Sequence, residues 1–185
     1  MLRSLDNAAT WSHPQRISFR PGFRDGMPVP LMLAGGRIVV AIEDNGMAGK
    51  FKPAIVNPAF GESARWPALR IQLPDTTYAG APYLRQFPGG ETVLSVQSAE
   101  GRQNEGTHTN SQMVVFVGDS DAKNFTSKSV PFSVPTEASG LWNSLFIKDE
   151  ITVTAISGTV VNGVRGLWSI DGRLENGKRP ARRRQ

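Results

Sequence analysis

Three hairpin-like segments of equal length recur along the chain, and they constrain its fold more than any other feature. The segment 81–97 aligns without a gap on 27–43 at an offset of 54 residues, and 141–157 follows at an offset of 60. Each copy holds an apolar strand, a two-residue turn and a β-branched strand, and Gly35-Gly36 falls on Gly89-Gly90. Paired glycines suit a two-residue hairpin turn because glycine adopts positive φ at little steric cost. The repeat therefore predicts an all-β chain.

The spacing of the repeat indicates the architecture. A period of about 55 to 60 residues with about four strands per unit is typical of β-propeller blades. We interpret residues 1–176 as one partial β-propeller of about three four-stranded blades. An ordinary antiparallel sandwich whose hairpins look alike is the alternative.

Positive charge is concentrated at the C-terminus. The formal net charge is +5, and five basic residues lie within the last eight positions, namely Lys178, Arg179, Arg182, Arg183 and Arg184. Without them the body is neutral, so we predict a basic, disordered tail over 177–185 and no nucleic-acid partner.

Cysteine content and hydropathy exclude several kinds of site and partner. The chain has no cysteine, which excludes disulfides and thiolate metal sites. No apolar run approaches the roughly 20 residues of a membrane helix, so no membrane partner is expected. Residues 1–10 lack an apolar signal-peptide core, and the localisation stays open. His13 and His108 have no ligand spacing, so neither a metal nor a cofactor is predicted.

A short motif at the N-terminus resembles an Asp-box. Residues 4–11 fit Ser-x-Asp-x-Gly-x-Thr-Trp, with Ala8 where glycine is usual, and the matching positions are Ser4, Asp6, Thr10 and Trp11. The Asp side chain of such a motif accepts backbone N–H groups across a turn, and the Trp is expected to pack between sheets. A chance turn beside a core tryptophan is the alternative. Either way the motif is structural, not catalytic.

Together these features resemble a known superfamily. The resemblance is carried by the Asp-box, by Arg24-Asp25-Gly26-Met27-Pro28 leading to Glu43, by Gly80-Ala81-Pro82 and by residues 166–172. The chain is similar to the C-terminal part of a sialidase-superfamily propeller of the bacterial-neuraminidase-repeat kind, and most similar to exo-acting arabinanase-like glycoside hydrolases. The resemblance implies a ring of five or six blades, of which this chain would hold about three, and family members are commonly exported. The sialidase arginine triad is not assembled from these residues.

Glycoside hydrolysis generally uses two carboxyl groups. Glu43 is the first candidate, since the apolar strand 38–42 carries it to a sheet end, and the aligned positions are Gln97 and Ser157. Glu100, three residues beyond Gln97, is the candidate partner. The expected substrate-binding residues are Arg24, Asp25, Arg102 and Trp142, with His108 lining the same cleft. A turn role for Asp25 and a core position for Trp142 remain alternatives.

Two functional classes follow from this interpretation. The first is a glycoside hydrolase, or a fragment of one, that acts on carbohydrate and has little activity without the missing blades. The second is a non-catalytic propeller module that binds glycan or assembles with another chain, either the missing half of the ring or a second copy.

Overall fold

The computed structural model describes residues 2, 4–14, 16–17, 24–45, 51–59, 62–65 and 77–175; between 24 and 65 it describes the side chains of 26–43. The predicted tail 177–185 and the domain end at 176 lie outside these residues. The described residues contain the strands β1 (Arg24–Met32), β2 (Ile38–Asn45), β3 (Phe51–Ala59), β4 (Glu62–Arg65), β5 (Ala79–Gln86), β6 (Thr92–Ser98), β7 (Gln112–Gly118), β8 (Ser127–Ser129), β9 (Leu141–Ile147), β10 (Thr152–Val161) and β11 (Val164–Arg173).

These strands form three antiparallel sheets, in the orders β1-β2-β3-β4, β5-β6-β7-β8 and β9-β10-β11. The all-β prediction is thereby confirmed, since no helix occurs among the described residues. The prediction of four strands per unit holds for the first and second sheets. The third sheet has three strands within the described part of the chain, and its last strand, β11, is an edge.

The third repeat is shifted by one residue from the predicted alignment. A register shift interrupts β1–β2 between Gly26 and Val29, β5–β6 between Gly80 and Tyr83, and β10–β9 between Ile156 and Gly158. Gly80 pairs with Gln97, and Leu141 pairs with Gly158, so the structural offset is 61 residues and not 60. A slip of one residue moves every side chain to the opposite face of a strand. The counterpart of Glu43 and Gln97 is therefore Gly158, not Ser157.

The turns of the first two hairpins are longer than predicted. Leu33 N–H donates to the Arg37 carbonyl and Gly36 N–H donates to the Leu33 carbonyl, both at 2.8 Å. The loop is therefore Ala34-Gly35-Gly36, and Gly36 alone has positive φ, at 77°. This is the three-residue loop with a left-handed final residue, in which the second glycine meets the backbone requirement. The predicted two-residue turn is wrong, and the second hairpin repeats the longer form at Phe87–Glu91.

Alternating side chains of the central strands bury the two inter-sheet interfaces. Leu94 and Val96 pack with Val39 and Ala41 of the first sheet, whereas Val93 packs with Leu145, Val153 and Ala155 of the third sheet. The second sheet therefore lies between the other two, as the period-2 alternation of a strand buried on both faces requires. A smaller cluster joins Val40 and Ile42 to Ile17 on the other face of the first sheet. The described part of the chain holds no helix with the length and hydropathy of a bilayer span.

Candidate functional site

Each hairpin carries an irregularity at the end opposite its turn. At the three register shifts, Met27, Ala81 and Trp142 have φ values of 48°, 46° and 56°. Positive φ is uncommon for residues other than glycine, and it is a clear outlier for a bulky residue. We call these three residues the bulge row. Because they repeat at equivalent positions in consecutive sheets, they form one feature of the fold.

Hydrogen bonds between sheets run from the bulged strand of one sheet to the central strand of the preceding sheet. Ala81 N–H donates to Glu43 Oε2 at 2.7 Å, from the second sheet to the first. In the same way, the Asn143 side-chain amide, next to Trp142, donates to the Val96 carbonyl at 3.5 Å. Strand β5 also packs against β1, β2 and β9. The three bulges therefore follow one another along one end of the stacked sheets.

Glu43 lies beneath the middle bulge and is 6% exposed. A Cβ placed on Gly80 would come within 2.4 Å of both Glu43 Oε2 and the Tyr78 hydroxyl, so a side chain at this position would displace one or both of these groups. The pKa of Tyr78 is raised by burial and, secondarily, by the negative charge of Glu43. The Tyr78 ring meets His108 edge-on, with 6.2 Å between ring centroids. Glu43, Tyr78 and Gly80 thus form one packed group.

Trp142 is the most accessible residue of the bulge row. It is 75% exposed, and Met27 is 45% exposed. The predicted alternative of a core tryptophan is therefore wrong. An indole presented to solvent offers a large flat apolar surface together with one polar N–H, which suits a ligand with both apolar and hydroxylated faces.

Arg102 was predicted to bind substrate, but its guanidinium points into the protein. It donates to the carbonyls of Asn110 and Val134 at 2.7 Å, of Pro135 at 2.6 Å and of Ala138 at 2.7 Å. The residue is 8% exposed, and burial lowers the pKa of its guanidinium from the ordinary value. The contacts make Arg102 a structural anchor between the loop after β6 and the segment before β9.

Glu100 is not brought beside Glu43 by any contact of the described residues. Its carboxylate pairs with Lys128 of β8, the outermost strand of the second sheet, whereas Glu43 contacts the bulge of β5 at the opposite edge. The catalytic pairing of these two residues stays a prediction, and their contacts lie at opposite edges of the second sheet.

Arg24 and Asp25 lie in β1, where they pair through the backbone with Asn45 and Asp44. Gly26 pairs with Glu43 in the same ladder, so the backbone of Arg24 and Asp25 lies at the bulge-row end. Their side chains lie outside the described set. Their predicted role in binding substrate therefore stays a prediction.

The sequence analysis missed Tyr78, Gly80 and Ala81 as parts of this end of the molecule. A usable signal existed, since Gly26-Met27-Pro28 recurs as Gly80-Ala81-Pro82. Proline cannot donate to a β-ladder and is confined within sheets to edges, strand starts and bulges. The Gly-x-Pro repeat therefore indicates a bulge, and the third copy lacks it.

The N-terminal motif forms a compact local turn. Asp6 Oδ1 accepts from the Thr10 N–H at 2.9 Å and from the Ser4 hydroxyl at 2.8 Å, while Oδ2 accepts from the Thr10 hydroxyl at 2.5 Å. Ala8 has φ of 67° at the position where the motif usually has glycine. Trp11 is 58% exposed, so the expectation that it packs between sheets is wrong.

These bonds favour the ionised Asp6 and lower its pKa to about 2, chiefly through the Thr10 hydroxyl. The folded pKa is depressed, so this contribution to stability is present above the ordinary aspartate pKa and is lost as pH falls towards 2. We expect Thr10→Val to raise the pKa of Asp6 towards its ordinary value, measured by carboxyl NMR titration. Ser12→Ala is the matched control, and an unchanged Asp6 titration in Thr10→Val would contradict the assignment.

A cavity of about 250 Å³ lies between the second and third sheets. Its wall is mainly apolar, with Phe87, Val93, Leu145 and Val153 among the lining residues. Among the described residues, no group of three or more histidines or carboxylates could hold a metal ion.

Two solved structures resemble this chain over most of its length. No protein-family model matches the chain, and no curated protein matches it. A solved protein of unknown function from Dyadobacter fermentans DSM 18053 is similar over 94% of this chain and 45% of that one, with a TM-score of 0.66 and 13% identity. A mannose phosphorylase, MPT-4 from Leishmania mexicana, solved in complex with phosphate ion, is similar over 85% of this chain and 46% of that one, with a TM-score of 0.49 and 12% identity. The chain thus spans less than half the length of these solved chains, and its three antiparallel sheets share a fold with the first of them.

Proposed function

We propose that the three sheets are consecutive blades of a sialidase-like β-propeller, and that their bulge-row end binds carbohydrate. Trp142 carries the proposal: a bulky, 75% exposed side chain is held at φ of 56° at the same end as the other bulges. Left-handed backbone at a non-glycine residue costs about 1–3 kcal/mol and is concentrated at functional sites. The indole stacks on the apolar face of a sugar ring.

The binding test compares two exposed tryptophans. We expect Trp142→Ala to weaken binding of an arabinan, plant-type or sialoside oligosaccharide by about tenfold or more, equivalent to about 1.4 kcal/mol. Trp11→Ala, which removes an indole 58% exposed but outside the bulge row, should leave the affinity unchanged. Isothermal titration of the full chain against each oligosaccharide measures both effects.

A glycine variant separates binding from packing. Because glycine adopts positive φ freely, Trp142→Gly should bind as poorly as Trp142→Ala but be more stable than Trp142→Ala by about 1 kcal/mol. Binding of the wild-type chain to none of the oligosaccharides, or full affinity in both Trp142 variants, would refute the proposal.

Hydrolysis is the second candidate, favoured by the burial of Glu43 beside Tyr78 and directly below the middle bulge. In this variant of the proposal, Glu43 is one of the two carboxyl groups that glycosidic cleavage requires. The buried position of Glu43 supports its role. Its predicted partner, Glu100, forms a salt bridge with Lys128. Reducing-sugar release by the wild-type chain, abolished in Glu43→Gln while oligosaccharide binding persists, would favour hydrolysis over binding alone.

A further inference from the structure

The third sheet has one face that no other described element covers. In β10, Val153 and Ala155 pack towards the second sheet, so Thr154 and Ile156 point to the opposite face. Cross-strand partners share that face: Phe146 and Asp171 lie opposite Thr154, and Leu167 lies opposite Gly158. We call these residues, Phe146, Thr154, Ile156, Leu167 and Asp171, the outer face.

The equivalent faces of the other two sheets are inter-sheet interfaces. Positions equivalent to Thr154 and Ile156 are Val93 and Ser95 in the second sheet and Val39 and Ala41 in the first. All four are between 0% and 1% exposed, because a following sheet covers them. On the outer face of the third sheet, by contrast, Phe146 is 61% exposed and Leu167 is 77% exposed. The same surface that twice forms an interface within the chain is open here.

The composition of the outer face suits association with itself. Its apolar residues Phe146, Ile156 and Leu167 are accompanied by an exposed charge pair, in which Lys148 Nζ lies 2.7 Å from Asp171 Oδ2. The pair presents one positive and one negative group. About a two-fold axis, the lysine of each copy can therefore meet the aspartate of the other.

The first sheet offers a less accessible partner surface. A head-to-tail assembly would place the outer face against the side of β2 that carries Val40 and Ile42. Ile17 of the same chain already packs against these two residues, which are each 2% exposed. An intermolecular sheet would have to displace that segment. The outer face of a second copy requires no displacement.

We propose that two copies of this chain associate through their outer faces about a two-fold axis. The association is a further sheet-on-sheet contact in which two like faces meet, whereas each interface within the chain joins unlike faces of consecutive sheets. It leaves the bulge-row ends of both copies open. It is independent of the proposed carbohydrate binding, because it uses the third sheet's face and not the bulges.

Sedimentation equilibrium of the full chain measures the association. Chain concentrations from about 1 to about 100 µM cover the dissociation constants of weak dimers. We expect a dimer of the 20.1 kDa chain. Leu167→Asp should weaken dimerisation at least tenfold. Met32→Asp is the matched control, since Met32 is 70% exposed but lies in β1, and it should remain dimeric. Circular dichroism of both variants checks that they are folded.

The geometry of the dimer can be tested separately, because the chain has no native cysteine. A spin label on Leu167→Cys should report a short distance between the two copies, and a label on Met32→Cys a much longer one. A chain that is monomeric throughout the range would overturn the proposal. Equal sensitivity of dimerisation to Leu167→Asp and Met32→Asp, or a Met32 distance as short as that of Leu167, would overturn it as well.

Discussion

Replacing Arg102 by alanine is expected to lower the free energy of unfolding by about 3 kcal/mol or more, although the residue was first predicted to bind substrate. The substitution leaves the buried carbonyl of Val134 and the partly buried carbonyls of Asn110, Pro135 and Ala138 without their donor. Each buried acceptor left unsatisfied costs about 1–3 kcal/mol, and hydrogen bonds to charged groups lie at the strong end of the range. For a chain of this size the loss corresponds to a fall in Tm of about 6–12 °C.

Thermal and urea unfolding of Arg102→Ala and Arg102→Lys measure this effect. A lysine has a single ammonium group and cannot reproduce the planar fork of donors, so Arg102→Lys should recover only a small part of the loss. Arg165→Ala, at an exposed position of β11, is the control and should be close to wild type. A stable Arg102→Ala chain with reduced oligosaccharide affinity would instead support the original substrate-binding role.

Replacing Gly80 by alanine is expected to destabilise the chain by about 1–3 kcal/mol, the usual cost of overpacking a buried site. The new methyl group would lie 2.4 Å from both Glu43 Oε2 and the Tyr78 hydroxyl and 2.8 Å from the Tyr78 ring. Both neighbours belong to the buried group beneath the middle bulge, and a movement of the Glu43 carboxylate would disturb its hydrogen bond with the Ala81 N–H.

Two comparisons check the cause of the Gly80→Ala effect by urea unfolding. Gly35→Ala should be nearly neutral, since nothing lies within 4 Å of its added methyl group and its φ is not positive. Adding Tyr78→Phe to Gly80→Ala removes one of the two clashing oxygens and should restore part of the stability, as coupling between contacting residues requires. Wild-type stability of Gly80→Ala would contradict the packing described around Glu43.

The repeat predicted the all-β class and the first two hairpins because hairpins depend on local sequence. The apolar strands and their glycine-containing turns recur in 27–43 and 81–97, and the structure forms both hairpins with the same loop and the same bulge. The third copy lacks the glycine pair and the Gly-x-Pro motif. Its alignment therefore depended on apolar residues alone, and these tolerated an error of one position.

The site residues were harder to predict, because their contacts join distant parts of the chain. The Arg102 guanidinium donates hydrogen bonds to backbone carbonyls of the segment 134–138, and the Glu100 carboxylate forms a salt bridge with Lys128. Neither contact leaves a pattern in the local sequence. Glu43 could be predicted as a site residue because a carboxylate that follows an apolar strand stands out in the sequence. Its partner could not be predicted, because the Ala81 N–H is a backbone group and backbone groups leave no signal in the sequence. Trp142 was predicted because tryptophan often binds sugars. Its exposure could not be predicted, because it depends on the position of the third bulge.

Backbone amide NMR during titration with an oligosaccharide tests directly whether the bulge-row end is the carbohydrate-binding surface. We expect saturable shifts to be concentrated at the amides of Met27, Ala81 and Trp142 and at the Trp142 indole N–H. Shifts concentrated at the hairpin loops around Gly36 and Gly90, at the opposite end of the sheets, would contradict it. The absence of shifts with every oligosaccharide in the panel would contradict it too.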